Sequence, residues 1–150
     1  MTILLDTHVW LWWLLGSDQL PKKERDELDH LAARGALRVA AVSLWETQML
    51  HAKGRLSLNR PFDIWIRDAA AANVVQILPL DVEVVIALDG LPASFHGDPA
   101  DRLIVSTSRA YFPNGRARVK ARSPPPIRRT TRAPGAWLPP SARAGRWRPG

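Results

Sequence analysis

The sequence predicts an α/β domain, doubly wound about a mainly parallel central sheet, and three observations carry that prediction. First, Ile3-Leu4-Leu5-Asp6-Thr7-His8 is a short apolar run that ends in an acid and gives way at once to a helix-like pattern. A run of that kind reads as a strand buried on both faces, the central strand of a parallel sheet. Second, further short apolar runs at residues 37–42 and 74–78 alternate with segments of helical period. Such alternation implies right-handed crossovers between parallel strands. Third, 150 residues leave room for one domain with a real core.

In chain order, residues 9–15 are apolar all round, as in a helix covered on more than one side, with a partner's hydrophobic helix as the second cover. Pro21, read as a first-turn proline, opens an amphipathic helix that Gly35 stops. After the strand at 37–42, Ser43-Leu44-Trp45-Glu46 starts a helix that reaches about Lys53 and ends at Gly54. Pro61 begins a helix with Phe62, Trp65, Ile66 and Ala69 on one face, and the third strand follows at 74–78. Residues 81–88 read as a helix entered after Pro79, and His96-Gly97-Asp98-Pro99-Ala100-Asp101-Arg102 leads into another over 103–110. Trp10, Trp12, Trp13, Trp45 and Trp65 read as core, although five are more than a small core needs.

Composition divides the chain in two. Residues 1–101 hold all 14 acids and 9 of the 21 lysines and arginines, whereas 102–150 hold the other 12 basic residues and no acid. Eight of the 13 prolines also follow residue 101. An α/β domain should return to its sheet after the last helix, but the sequence from Phe112 onward shows no period of 2 or 3.6. Proline at this density removes backbone donors, so the last strand is expected to be missing and the tail disordered. Residues 1–110 therefore read as the domain and 111–150 as an Arg/Pro-rich tail. The absence of cysteine excludes disulfides and thiolate ligands and suits a reducing cytoplasm. Asp6 interrupts the apolar start, which lacks a basic leader and is too short to span a membrane, so the chain reads as soluble.

Four acids fall at strand ends or helix starts, each with a structural and a functional reading. Asp6 is either the N-cap of the next helix or a ligand at the edge where open α/β sheets bind. Ser43-x-x-Glu46 matches a capping box, in which serine and glutamate satisfy backbone donors at a helix start. Asp98 before Pro99 is a good N-cap, and Asp101 lies where negative charge suits the helix dipole. Two acids at one helix start also give a hard cation oxygen ligands. Arg102 is a charge partner here or a solvated residue. His8, His30, His51 and His96 lack metal-ligand spacing; His30 and His51 read as surface residues, His8 and His96 as groups supporting the acids. Four such acids, with neither a nucleophile nor a Gly-rich loop, point to cation-assisted chemistry on a phosphate ester, with Mg²⁺ or Mn²⁺ relieving their repulsion and activating water.

Leu4-Leu5-Asp6-Thr7-His8-Val9-Trp10-Leu11-Trp12, Val42-Ser43-Leu44-Trp45-Glu46 and Asp98-Pro99-Ala100-Asp101-Arg102-Leu103-Ile104-Val105 together resemble a PIN-domain protein. The nearest subgroup is the VapC-type toxins of bacterial toxin–antitoxin pairs, and the likeness runs from residue 1 to about 110. The resemblance implies a PIN-like fold, Mg²⁺- or Mn²⁺-dependent endoribonuclease activity, a cognate antitoxin that wraps the toxin, and a homodimer. It implies Asp6, Glu46 and Asp101 as the catalytic, metal-binding acids, with Asp98 as a neighbouring ligand and Thr7 positioning a ligand or the scissile phosphate.

The family continues into a further strand with another acid, whereas this sequence has none after Asp101. So abrupt a switch to Arg/Pro-rich sequence is what a shift of reading frame near Ala110 would give, with the missing strand encoded in another frame. Two other readings stand beside the active ribonuclease. One is a catalytically impaired remnant that still binds its antitoxin; the other is an RNA-binding protein whose basic tail makes nonspecific phosphate contacts.

Overall fold

The computed structural model describes residues 1–95, 97–115 and 117–120. The chain runs β1 (Thr2–Leu5), α1 (Thr7–Leu15), α2 (Lys22–Ala33), β2 (Leu37–Ala40), α3 (Ala41–Ala52), α4 (Phe62–Ala69), β3 (Gln76–Leu78), α5 (Val82–Asp89), α6 (Pro99–Tyr111) and β4 (Ala117–Lys120). All strand pairs are parallel, in the order β3-β2-β1-β4. The chain steps outward from β1 to β2 and β3, then crosses back to place β4 on the other side of β1. That reversal makes the β1/β4 boundary the topological switch point, and the carboxyl ends of the strands there form the crevice where such sheets bind ligands.

Strand alternation divides the core between the two faces of the sheet. Ile3, Leu5, Leu37 and Val39 pack with the apolar side chains of α1, α2 and α4, including Trp10, Trp13, Leu28 and Trp65. Leu4, Ala40 and Leu78 pack with Val42 of α3 and with Ala100 and Ile104 of α6. Trp10 and Trp13 are fully buried, and the Trp13 indole N–H donates to Asp29 Oδ1 at 2.9 Å. The indole N–H groups of Trp10 and Trp12 are buried without an acceptor among the described residues. Gly16 ends α1 at φ 61°, its N–H turned back to the Trp12 and Trp13 carbonyls; only glycine takes that left-handed position without strain.

The structure corrects the sequence reading in several places. The all-round apolar α1 needs no partner's helix, because seven of its nine residues are buried by this chain's own elements. Trp45 is not core: it is 54% exposed on α3. Pro21 is the N-cap of α2 rather than a first-turn residue. The second strand stops at Ala40 and the third begins only at Gln76.

The last strand, expected to be missing, is present in this reading frame as β4. It pairs with β1 from Thr2↔Ala117 to Leu5↔Lys120, so Phe112 does not begin a wholly unstructured tail. Ala-Arg-Val-Lys carries no apolar run to announce a strand, but backbone groups along the edge of β1 pair with any sequence that can extend. Residues 121–150, and the disorder expected of them, lie outside the described residues. Among the described residues no helix is long and apolar enough to cross a membrane.

Candidate active site

β1 delivers Asp6 to the switch point. Its backbone is held twice: the N–H donates to the Lys120 carbonyl at 3.1 Å, and its carbonyl accepts from the Trp10 N–H at 3.0 Å. Asp6 occupies the N-cap position of α1, yet its side chain makes no capping hydrogen bond. The residue is only 7% exposed. The structural reading of Asp6 as a cap therefore fails, and a buried carboxylate is left to account for.

The capping-box reading of Glu46 fails too. Helix α3 starts at Ala41 with Ala40 at its N-cap, which puts Ser43 inside the first turn and Glu46 a turn further on. Glu46 instead accepts a hydrogen bond from the Thr7 hydroxyl, and Thr7 Oγ1 lies 2.8 Å from Ser43 Oγ. Thr7 and Ser43 are both fully buried. Thr7 has a single hydroxyl proton and an ionised Glu46 can only accept, so Ser43 supplies the proton of the second contact. Ser43 is thus a supporting residue that sequence reasoning read only as a cap. Its signal was there, a hydroxyl three positions before an acid, but the helix start was misplaced.

The capping reading holds for Asp98. Its Oδ1 accepts from the Asp101 N–H at 2.8 Å, at the start of α6 with proline in the first turn. The Asp98 backbone N–H favours the charged form of Asp101, against the rise its surroundings cause. Both aspartates are exposed on the site side of α6. Arg102, the charge partner the sequence offered, donates to the Phe95 carbonyl at 3.1 Å. Gly97 is demanded by crowding, since a Cβ there would come within 2.7 Å of the Phe95 ring and 3.0 Å of Asp101 Cβ.

The acids feel one another. Burial pushes the Asp6 carboxyl above the usual carboxylate range; His8 opposes the rise, and the charges of Asp101 and Asp98 add to it. Burial likewise raises Glu46, against the Thr7 hydrogen bond and with the charges of Asp98 and Asp6. Asp101, although exposed, is raised by partial loss of its hydration and by the charge of Asp98. His8 stands beside Asp6, its Nδ1 3.9 Å from Asp6 Oδ2. His30 and His51 are exposed as expected, and His96 lies outside the described residues.

The four predicted acids and Thr7 therefore meet at one edge of the sheet. They are not closed into a chelate: among the described residues no three of the histidine, aspartate and glutamate side chains stand close enough to hold one ion. The donor set nonetheless fits a hard divalent cation in its chemistry, being all oxygen and mutually repulsive.

A doubly wound parallel sheet with carboxylates gathered at its switch point defines a class, and the family comparison agrees with it. The PIN domain matches residues 3–111, and the chain belongs to that family, in its VapC-type branch. It is 36% identical over 108 residues to Ribonuclease VapC22 of Mycobacterium tuberculosis (strain ATCC 25618 / H37Rv), covering 71% of this chain and 78% of that protein. No solved structure gives a significant match. The family match ends at Tyr111, close to where the sequence pattern departs.

Proposed function

We propose that the chain is an endoribonuclease, dependent on Mg²⁺ or Mn²⁺, that acts as the toxin of a toxin–antitoxin pair. The observation that carries this reading is Asp6, a buried carboxylate at a helix start that caps nothing and feels Asp101 and Asp98 across the switch point. Likeness to a ribonuclease supports the substrate class.

Asp6, Asp101, Glu46 and Asp98 would hold the cation. When bound, it supplies positive charge against the scissile phosphate and a water of lowered pKa. The protein's own part is positioning. Ser43 orients Thr7, and Thr7 holds Glu46 by one oxygen, leaving the other to accept a proton from the attacking water. The cytoplasm is the compartment that suits RNA chemistry in a chain without cysteine.

An antitoxin and a second copy of the chain are the partners we propose. Leu80, Val82, Val85 and Ile86 are exposed along and just before α5, and Trp45 is exposed on α3, giving apolar surface for such contacts.

The test is cleavage of RNA by the full chain with Mg²⁺ or Mn²⁺, with EDTA, and beside Asp6→Asn. Metal-dependent cleavage lost in the variant supports the reading. A folded chain that cleaves nothing under any of these conditions defeats it in favour of an antitoxin-binding remnant, for which the absence of any acid after Asp101 is the supporting observation.

A further inference from the structure

Phe95 stands apart from the core. Tyr111 and Phe112 pack against the apolar cluster that α6 shares with the sheet, and Phe62 stacks on His51 with ring centroids 4.8 Å apart. Phe95 belongs to neither of the clusters that cover the two faces of the sheet. It is half-buried, in the loop that leads into α6.

That loop holds the ring beside the acidic cluster. A Cβ on Gly97 would lie 2.7 Å from Phe95 Cε1 and 3.0 Å from Asp101 Cβ, so the ring edge and that acid are neighbours across the Gly97 backbone. The Phe95 N–H donates to the Pro92 carbonyl at 2.9 Å, and its carbonyl accepts from Arg102 Nη1 at 3.1 Å. Arg102 follows Asp101 on α6, so one unit carries both the ring and the acid.

An aromatic surface left partly in water is stabilised by whatever apolar group comes to cover it. A carboxylate is no such cover, because the face of a phenyl ring is itself negative. Single-stranded RNA brings a suitable group on every nucleotide, since each base has a π face that stacks on aromatic side chains. The position of Phe95, fixed at the backbone and next to Asp101, is where a strand cut at the acids would present one.

We infer that Phe95 binds the substrate, its ring stacking on a base beside the scissile phosphate and holding the strand in register over the acids. The inference takes its ligand from the ribonuclease reading and its place from the packing of Phe95, Gly97 and Asp101. Stacking tolerates any base, so Phe95 selects single-stranded RNA over a duplex, whose paired bases are not free to turn to the ring. Glycine at 97 is part of the device, because a side chain there would push the ring away from Asp101.

The experiment uses the full chain and two short fluorescein-labelled strands, a single-stranded RNA and its abasic counterpart, which keeps the ribose-phosphate backbone and lacks the bases. Binding is read by anisotropy in EDTA at low salt for the parent, Phe95→Leu and Phe95→Trp. Phe95→Leu keeps apolar bulk without a π face and is expected to bind the RNA about fivefold or more weakly than the parent. Phe95→Trp, with a larger stacking face, matches or exceeds the parent on the RNA. All three bind the abasic strand alike, which a merely structural role in placing Asp101 would not give. Equal losses on the two strands, or unchanged binding of the RNA by Phe95→Leu, overturn the inference. A changed sedimentation coefficient of RNA-free Phe95→Leu also overturns it, by giving the ring to a contact between copies of the chain. Loss confined to the RNA, in a chain that never cleaves in Mn²⁺, defeats the ribonuclease reading alone. Normal cleavage with unchanged binding in Phe95→Leu defeats this inference alone.

Discussion

The Thr7 hydroxyl donates to the Glu46 carboxylate, joining residues 39 positions apart across the carboxyl edge of the sheet. Thr7 opens α1 directly after β1, and Glu46 lies one turn into α3 directly after β2. One hydrogen bond therefore couples the ends of two neighbouring strands, with Ser43 behind it at 2.8 Å.

Replacing Thr7 with valine keeps the shape and removes the donor. Ser43 and Glu46 each lose a partner in a buried setting, at an expected cost of about 1–3 kcal/mol. Cleavage should fall at least tenfold with Thr7→Val, whereas Thr7→Ser, which keeps the hydroxyl, should retain most of it. Urea denaturation and initial cleavage rates check the two halves of this expectation.

Asp6 should limit stability while it serves function. Its folded pKa is raised, as are those of Glu46 and Asp101, so the folded state binds more protons than the unfolded chain. The stability of the cation-free protein is then highest below the ordinary carboxylate range and falls as pH rises through the raised values. Asp6→Asn removes its share of this penalty. In EDTA near neutral pH the variant should melt higher than the parent by about 2–6 °C, with the gap closing toward about pH 4. A variant that melts lower at neutral pH would show that the Asp6 charge is compensated.

Asp98 has two roles that substitutions can separate. Asp98→Ala removes the α6 cap and should cost about 0.5–2 kcal/mol. Asp98→Asn keeps a capping oxygen and removes only the charge, so stability should hold. Asp98 raises the Asp101 carboxyl, and without that charge the acidic limb of the pH–rate profile should move to lower pH. Rates measured across the acid range with both variants decide it.

Trp10 is fully buried between the sheet and the helices on its face. Trp10→Ala should cost about 3–5 kcal/mol, a large part of the stability of a small domain. Chemical denaturation followed by far-ultraviolet circular dichroism would register it.

Particular residues show why some of this was legible in the sequence and some was not. Asp6 could be found because a strand buried on both faces leaves an uninterrupted apolar run, and an acid that ends one stands out. Asp98 and Asp101 were visible through Pro99, which marks a helix start. Glu46 was obscured by a structural alternative: Ser43-x-x-Glu46 matches a capping box, but Ala40 is the true cap. One turn of error in the helix start changes Ser43 from a cap into the support of Thr7. Trp45 was misassigned because residue type alone does not say which side of a helix faces the core. β4 was hidden because its strand character comes from the edge of β1 and leaves little trace in Ala-Arg-Val-Lys.

The central claim is that Asp6, Glu46, Asp98 and Asp101 act as one cation site, although no three are closed into a chelate among the described residues. The most direct measurement is a Mn²⁺ titration of the full chain, read by electron paramagnetic resonance, beside Asp6→Asn and Asp101→Asn. The account predicts saturable binding by the parent and a loss of at least tenfold in affinity in each variant, since both acids serve the same ion. Binding that survives unchanged in either variant would contradict it.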